Sequence, residues 1–298
     1  MIVSASYRTD IPAFYGAWFA RRLRAGWCDV ANPYGGRPYR VALVGPALDG
    51  FVFWTRNAVP FRPVLAEIAR REVPFVVQYT VTGYPRPLER SVVAVEHAIA
   101  DIRALAAAHG PRSVVWRYDP ILASDLTPAP WHRRQFARLA GALAGACDEV
   151  VLSWAQIYRK TARNLDRAAA RDGFAWRDPE SAAKQALLRA LAEIAAGHGM
   201  AATLCSQSAL LVDGLSPSRC IDAARLSDVA GRPVAARTKG NRPGCLCAES
   251  RDIGAYDTCP HGCVYCYAVG DRARAQAAFR ACDPAAPMLG GMAVGDGG

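Results

Sequence analysis

Three cysteines near the C-terminal end, in Cys259-Pro-His-Gly-Cys263-Val-Tyr-Cys266-Tyr, are the residues of this sequence best suited to chemistry. Thiolates are soft ligands that select zinc, copper(I) or iron–sulfur clusters. Spaced by three residues and then by two, they can wrap one cuboidal cluster from a single tight loop and leave its fourth iron without a protein ligand. Gly262 lets the backbone turn where a side chain would crowd that cluster. The competing readings are a structural zinc ion and a cluster used only for electron transfer. Zinc takes four closed ligands, often as two C-x2-C pairs, and a lone triad with this spacing fits that poorly. His261 is expected to be a solvated loop histidine; its functional alternative is a hydrogen bond that tunes the cluster.

Four further cysteines, Cys205, Cys220, Cys245 and Cys247, could close a second, fully ligated auxiliary iron–sulfur cluster if the fold brings them together. The opposing reading is that each is a small buried hydrophobe. Cys28, Cys147 and Cys282 have no partners in sequence and are read as packing or surface residues.

The elements that must position these groups alternate. Apolar runs at Met1 to Ser6, Phe51 to Thr55, Phe75 to Thr80, Ser113 to Arg117, Val150 to Trp154 and Ala201 to Cys205 read as strands buried on both faces. Between them, helices are expected from Pro12 to Ala25, Val64 to Arg71, Glu89 to Ala108 and Trp131 to Ala146. Two more follow the fifth strand, the later opening on Asp178 as N-cap with Pro179 in the first turn and ending near Gly197. Gly/Pro turns and a second apolar run at 27–45 read as an inserted hairpin. Six such units predict an α/β fold, a parallel (β/α)6 partial TIM-type barrel over residues 1–230. A cysteine-rich extension at 231–282 would pack on its mouth, and a tail at 283–298, rich in Pro, Gly and Ala, is expected to be disordered.

Active sites of such barrels form at the C-terminal ends of the strands. The strand ends here carry Arg8 and Asp10; Thr55, Arg56 and Asn57; Tyr79, Thr80 and Thr82; and Arg117, Tyr118 and Asp119. Arg8–Asp10 and Arg117–Asp119 could equally be ion pairs that close the rim. Ser153, Trp154 and Gln156 finish the fifth strand and could line a pocket.

With 298 residues, 52% of them hydrophobic, the chain can bury a sizeable core. No apolar run is long enough to span a bilayer, and the first residues lack a charged leader followed by an apolar stretch, so a cytoplasmic protein without membrane partners is expected. Five of the ten cysteines crowd between 245 and 266, which points to metal rather than disulfides. The formal charge of +10 is a weak signal for nucleic acid, because the arginines are scattered along helix faces instead of gathered in one block.

The cysteine spacing, with an aromatic residue just before the third cysteine, resembles the cluster motif of radical S-adenosylmethionine (SAM) enzymes. That resemblance implies a [4Fe-4S] cluster on Cys259, Cys263 and Cys266, SAM on the open iron, Tyr265 packed beside its adenine, and a reductant such as flavodoxin or ferredoxin. It implies also that Arg117 offers a fork to the SAM carboxylate, with Asp10, Asp119, Thr55 and Asn57 serving amine or ribose. In most of those enzymes the cysteine loop follows the first strand; here Tyr7-Arg-Thr-Asp10 holds that place and the triad arrives after the last strand. The segments Ser-Ala-Ser-Tyr-Arg-Thr-Asp-Ile-Pro (4–12), Val-Phe-Trp-Thr-Arg-Asn (52–57), Thr-Val-Thr-Gly-Tyr (80–84), Trp-Arg-Tyr-Asp-Pro-Ile (116–121) and Asp-Ile-Gly-Ala-Tyr-Asp-Thr-Cys (252–259) are similar to the domain-of-unknown-function family numbered 1848, which supplies no reaction. Cys-Val-Tyr-Cys-Tyr-Ala (263–268) also resembles spore photoproduct lyases, which repair a thymine lesion in DNA. The expectation is therefore a radical-SAM-like enzyme that abstracts hydrogen from an unidentified substrate. DNA repair is the alternative within that class, and a non-catalytic zinc or iron–sulfur module that binds nucleic acid is the alternative outside it.

Overall fold

A computed structural model describes residues 1–32 and 35–290. Among them, eight strands form one parallel sheet: β1 (Ile2–Ala5), β2 (Gly50–Thr55), β3 (Phe75–Thr80), β4 (Val114–Ile121), β5 (Glu149–Trp154), β6 (Ala201–Leu204), β7 (Leu215–Pro217) and β8 (Ser250–Asp252). Their order across the sheet is β7-β6-β5-β4-β3-β2-β1-β8. The strands run sequentially outward from β1, except that the last returns to the far side of the first. The six expected strands are all present, and β7 and β8 are additions. Each is three residues long, too short to leave a pattern.

Helices α1 (Gly16–Ala25), α2 (Arg62–Arg70), α3 (Val95–His109), α4 (Ala129–Leu143), α5 (Arg159–Asp172), α6 (Ser181–Gly197) and α7 (Ala223–Ala230) cover the sheet, and α8 (Arg272–Arg280) follows the cysteine loop. Trp27–Val30 and Tyr39–Ala42 pair antiparallel as the expected inserted hairpin. Three helix expectations are corrected. The first breaks at Tyr15, leaving a short turn at Ile11–Phe14 before α1. The residue that precedes α6 is Glu180, two beyond the Asp178 expected as cap. The third helix starts at Val95, not Glu89, because residues 81–94 form a loop with other work.

Side chains of a strand alternate between faces, and here the two faces differ. On one, Phe51, Phe53, Val77, Tyr79, Trp116, Tyr118 and Leu152 meet Phe19, Leu65, Ile102, Phe136 and Leu188 of the helices in the large apolar core. On the other, Ile2, Val52, Val76, Val115 and Val151 form a layer with Cys205, Cys220, Ile221, Leu226 and Cys247. Two residues further along each of those five strands the same face carries Ser4, Trp54, Gln78, Arg117 and Ser153. A polar band therefore lies above the valine layer, toward the C-terminal ends. Burial on both faces explains why these strands read as continuous apolar runs.

The tail is corrected too. Trp18 Nε1 donates to Ala286 O at 2.9 Å, Asp29 N donates to Pro287 O at 2.9 Å, and Leu289 is part of the main core. Residues 283–290 are thus held on the fold, and the rest of the expected tail, 291–298, lies outside the described residues.

His132 of α4 is buried against β4. Its Nε2 lies 3.0 Å from Leu122 O, which can only accept, so Nδ1 is left to accept from Tyr118 OH at 2.8 Å. Burial holds this imidazole down from 6.5 to about 4. Between those values the unfolded chain takes up a proton that the folded chain refuses, so stability is lost as pH falls through the window. The expected loss is about 3 kcal/mol. Urea unfolding measured from pH 7 to pH 4 should show this slope, and His132→Gln should flatten it.

Candidate functional site

Asp252, the last residue of β8, fixes the C-terminal segment to the beginning of the chain. Through the pairing Ser4↔Asp252 its carboxylate accepts from Ser4 Oγ (2.9 Å), Ser6 Oγ (2.7 Å), Tyr7 N (3.0 Å) and Gly254 N (3.0 Å), and Arg8 Nε lies 3.3 Å away. Burial raises its pKa, opposed by Arg8 and these donors. The polar band continues from there. Trp54 Nε1 donates to Ser4 Oγ (3.1 Å), the Arg117 guanidinium lies 4.8 Å from the Trp54 ring, and Arg117 Nη1 donates to Gln78 Oε1 (3.1 Å).

Seven residues after Asp252 the cysteine loop begins, and it is clamped on the loop 81–94. Val264 N donates to Leu88 O (3.1 Å), Ser91 N to His261 O (2.9 Å) and Arg90 N to Gly262 O (3.5 Å), and Glu89 faces Cys263 in an antiparallel bridge. Gly262 has φ +73°, and a Cβ there would stand 2.5 Å from Arg272 Nε and 3.3 Å from Arg90 Cβ. His261 is buried, not solvated. Its Nε2 lies 2.8 Å from Asp10 Oδ2, its ring meets Phe14 edge-on, and Asp10 also accepts from Thr55 Oγ1 (2.7 Å), Arg56 N (2.8 Å) and Ala13 N (2.9 Å). This one carboxylate ties the ends of β1 and β2 to the cysteine loop.

The thiols of Cys259, Cys263 and Cys266 are half-buried and lie within electrostatic reach of one another. Burial pushes all three up, Cys263 to about 12. Amide groups oppose this: His261 N acts on Cys259, and Ala268 N donates to Cys266 Sγ at 3.4 Å. Arg56 lowers Cys263 and Cys266. It spans Glu89 Oε1 (2.8 Å) and Tyr265 OH (2.7 Å), while Tyr265 OH and Thr82 Oγ1 (2.6 Å) both donate to Glu89. The loop thus sits at the C-terminal ends of β1, β2 and β3, with a buried Arg–Glu–Tyr triangle against it.

Several expectations change with this geometry. Arg8 pairs with Asp252, not Asp10, because β8 inserts a carboxylate that the sequence gave no reason to place there. Arg117 does pair with Asp119, which also accepts from Ser153 Oγ, and its other nitrogen is committed to Gln78 and Cys220. The cations that act on the cysteine triad are instead Arg56, on Cys263 and Cys266, and Lys160, on Cys266. Asn57 serves the backbone, its Oδ1 accepting from Val59 N (3.2 Å). Tyr265 is buried, with its hydroxyl held by Glu89 and Arg56. Gln156 meets Arg242 Nη1 (3.1 Å), and Trp154 packs in the main core. Missed altogether were Glu89, read as helical, and Asp252 and Arg242, which lie in stretches without periodicity.

The other four cysteines do meet. Cys205 and Cys220 have sulfurs 3.5 Å apart, Cys220 and Cys247 hydrogen bond, and Cys247 hydrogen bonds with Cys245. Arg117 Nη1 donates to Cys220 Sγ (3.1 Å), Arg242 Nη2 to Cys205 Sγ (3.3 Å) and Ile221 N to Cys247 Sγ (3.4 Å). The hydrogen bond with Cys205 lowers Cys220, and that with Cys247 lowers Cys245 to about 5. Among the described residues, no three His, Cys, Asp or Glu side chains stand close enough to share a single metal ion. No helix is long and apolar enough to cross a membrane among them.

Residues 2–268 match the family described as Domain of unknown function (DUF1848). No curated protein and no solved structure matches the chain.

Gly262→Ala should strain the cysteine loop, since a residue other than glycine held at positive φ costs about 1–3 kcal/mol. Gly197→Ala, in open space at the end of α6, should cost nothing. Chemical denaturation of both variants, with limited proteolysis to find where the chain opens, checks the difference.

Proposed function

Since the chain belongs to the DUF1848 family, whose description carries no reaction, we propose from the cysteine loop that it is a radical-SAM-type enzyme. In this reading Cys259, Cys263 and Cys266 hold a [4Fe-4S] cluster, SAM binds at its open iron, and a substrate at the C-terminal ends of the strands loses a hydrogen atom. The observation that carries it is the seat of the loop: three thiols on one turn, served by amide donors and clamped over the ends of β1 to β3. The strand order supports reading the sheet as a TIM-type barrel left open between β7 and β8, which puts the polar band inside and the loop across its mouth.

When bound, the cluster and SAM supply an electron that cleaves a C–S bond and a 5′-deoxyadenosyl radical that abstracts hydrogen. The protein's own part is to orient and shield. Asp10 and His261 fix the cysteine loop on β1 and β2. Arg56 sets a buried positive charge beside the thiolates, and Glu89 and Tyr265 hold it there. Tyr265 and Asp119 would be the residues that serve the nucleoside when SAM is bound, while the Thr55 hydroxyl is engaged by Asp10 and the Asn57 backbone amide. An acidic reductant such as flavodoxin or ferredoxin would meet the depression behind the loop, lined by Arg86, Arg90 and Arg272 with Asp172 paired to Arg90 at 3.2 Å, which leaves it net basic.

Anaerobic reconstitution with iron and sulfide, followed by dithionite and SAM, tests the reading. The expected result is a brown protein with about four irons on the triad that releases methionine and 5′-deoxyadenosine, and a Cys263→Ala variant that releases neither. A colourless zinc protein, or an iron protein inert toward SAM, would overturn it.

A further inference from the structure

The second group of cysteines lies apart from the triad, against the valine layer of the sheet, and it comes from three separate segments. Cys205 follows β6, Cys220 lies between β7 and α7, and Cys245 and Cys247 precede β8. Segments so distant in sequence bring their cysteines together as one string: Cys205 and Cys220 have sulfurs 3.5 Å apart, Ile221 N donates to Cys247 Sγ at 3.4 Å, and Cys205, Cys220 and Cys247 share one buried cluster against which Cys245 packs. Backbone bonds keep them there: Ala248 N donates to Ile221 O (2.8 Å), and Cys205 N donates to Leu152 O (2.9 Å).

Buried thiols that merely fill space have no need of cations. Two guanidinium groups nevertheless donate to this string, Arg117 to Cys220 at 3.1 Å and Arg242 to Cys205 at 3.3 Å, and Arg117 is nearly inaccessible to solvent. A buried cation is costly unless a negative charge meets it. Asp119 at the rim answers part of Arg117's charge and acts at longer range on Arg242, whose hydrogen bonds go to Cys205 Sγ and the Gln156 amide oxygen. Four thiolates on one divalent metal, or on a two-iron cluster with two ferric ions and two sulfides, carry a net charge of about −2. Two arginines answer that charge.

We infer that Cys205, Cys220, Cys245 and Cys247 form a second, four-thiolate centre for a soft metal, zinc or iron–sulfur, with Arg117 and Arg242 as its hydrogen-bonded counter-charges. As they stand no three of these sulfurs share one point, so loading requires the thiols to turn about χ1 toward a common centre. Binding replaces the thiol protons, so loading strengthens as pH rises. A closed set of four protein ligands leaves no position for substrate, so this centre braces the 205, 220 and 247 segments against the sheet or passes electrons; it does not bind SAM.

The site does not depend on the proposed reaction, and the test separates the two. The triple variant Cys259→Ala/Cys263→Ala/Cys266→Ala, purified anaerobically, should keep about one zinc or about two to four irons per chain, in a shell of sulfur alone by X-ray absorption. Zinc and iron edges tell the two sources apart. Replacing Cys205 and Cys247 by Ser in the otherwise natural chain should remove that metal and leave the triad's iron and SAM cleavage in place. Wild-type protein serves where the triple variant fails to fold: its metal content should fall by about one zinc or about two to four irons when Cys205 and Cys247 are replaced by Ser. A metal-free triple variant that is folded by circular dichroism, or a wild-type metal content that the Cys205→Ser/Cys247→Ser change leaves untouched, would overturn the inference.

Discussion

The carboxylate of Asp252 is the interaction on which the placement of the cysteine loop depends. It accepts from two serines, two backbone amides and Arg8, all but the Gly254 amide within a few residues of the end of β1. Ion pairs this deeply buried do not stabilise much by themselves, since desolvation offsets most of the attraction. Their value lies in selectivity: a one-residue slip of β8 would leave a buried charge unmet. That fixes the register of a three-residue strand too short to fix itself. Seven residues later the chain must reach the ends of β1 and β2, and the cysteine loop arrives there.

A second carboxylate completes the placement from the other side. Asp10 gathers Thr55, the Arg56 amide, the Ala13 amide and His261, so the first two strand ends and the loop share one acceptor. Glu89 does the same for Arg56, Tyr265 and Thr82. These networks leave each carboxylate with several donors, as a site needs if it is to hold a reactive group in place. The sheet supplies the platform, with one face mostly hydrocarbon and the other divided into a valine layer and a polar band.

The sequence made the six inner strands legible because burial on both faces leaves β-branched and aromatic runs that few other structures produce. It hid β7 and β8 because Leu-Ser-Pro and Ser-Arg-Asp are too short to show any period. Residues 89–94 looked helical by continuity with α3, yet backbone pairing with the cysteine loop overrides that propensity. His261 looked solvated because loop histidines usually are, and only the fold brings Asp10 to it from 251 residues away. The cysteine triad was legible by spacing alone. Grouping of the other four was a matter of tertiary contact, and so was the exchange of partners between Arg8, Asp10 and Asp252.

Anomalous diffraction at the iron edge, from crystals grown without oxygen, puts the account to its most direct test. The account predicts an iron cluster enclosed by Cys259, Cys263 and Cys266, over the ends of β1 to β3 and next to Arg56, with one iron lacking a protein ligand. Triad sulfurs without iron, or an iron site there closed by a fourth side chain, would contradict it.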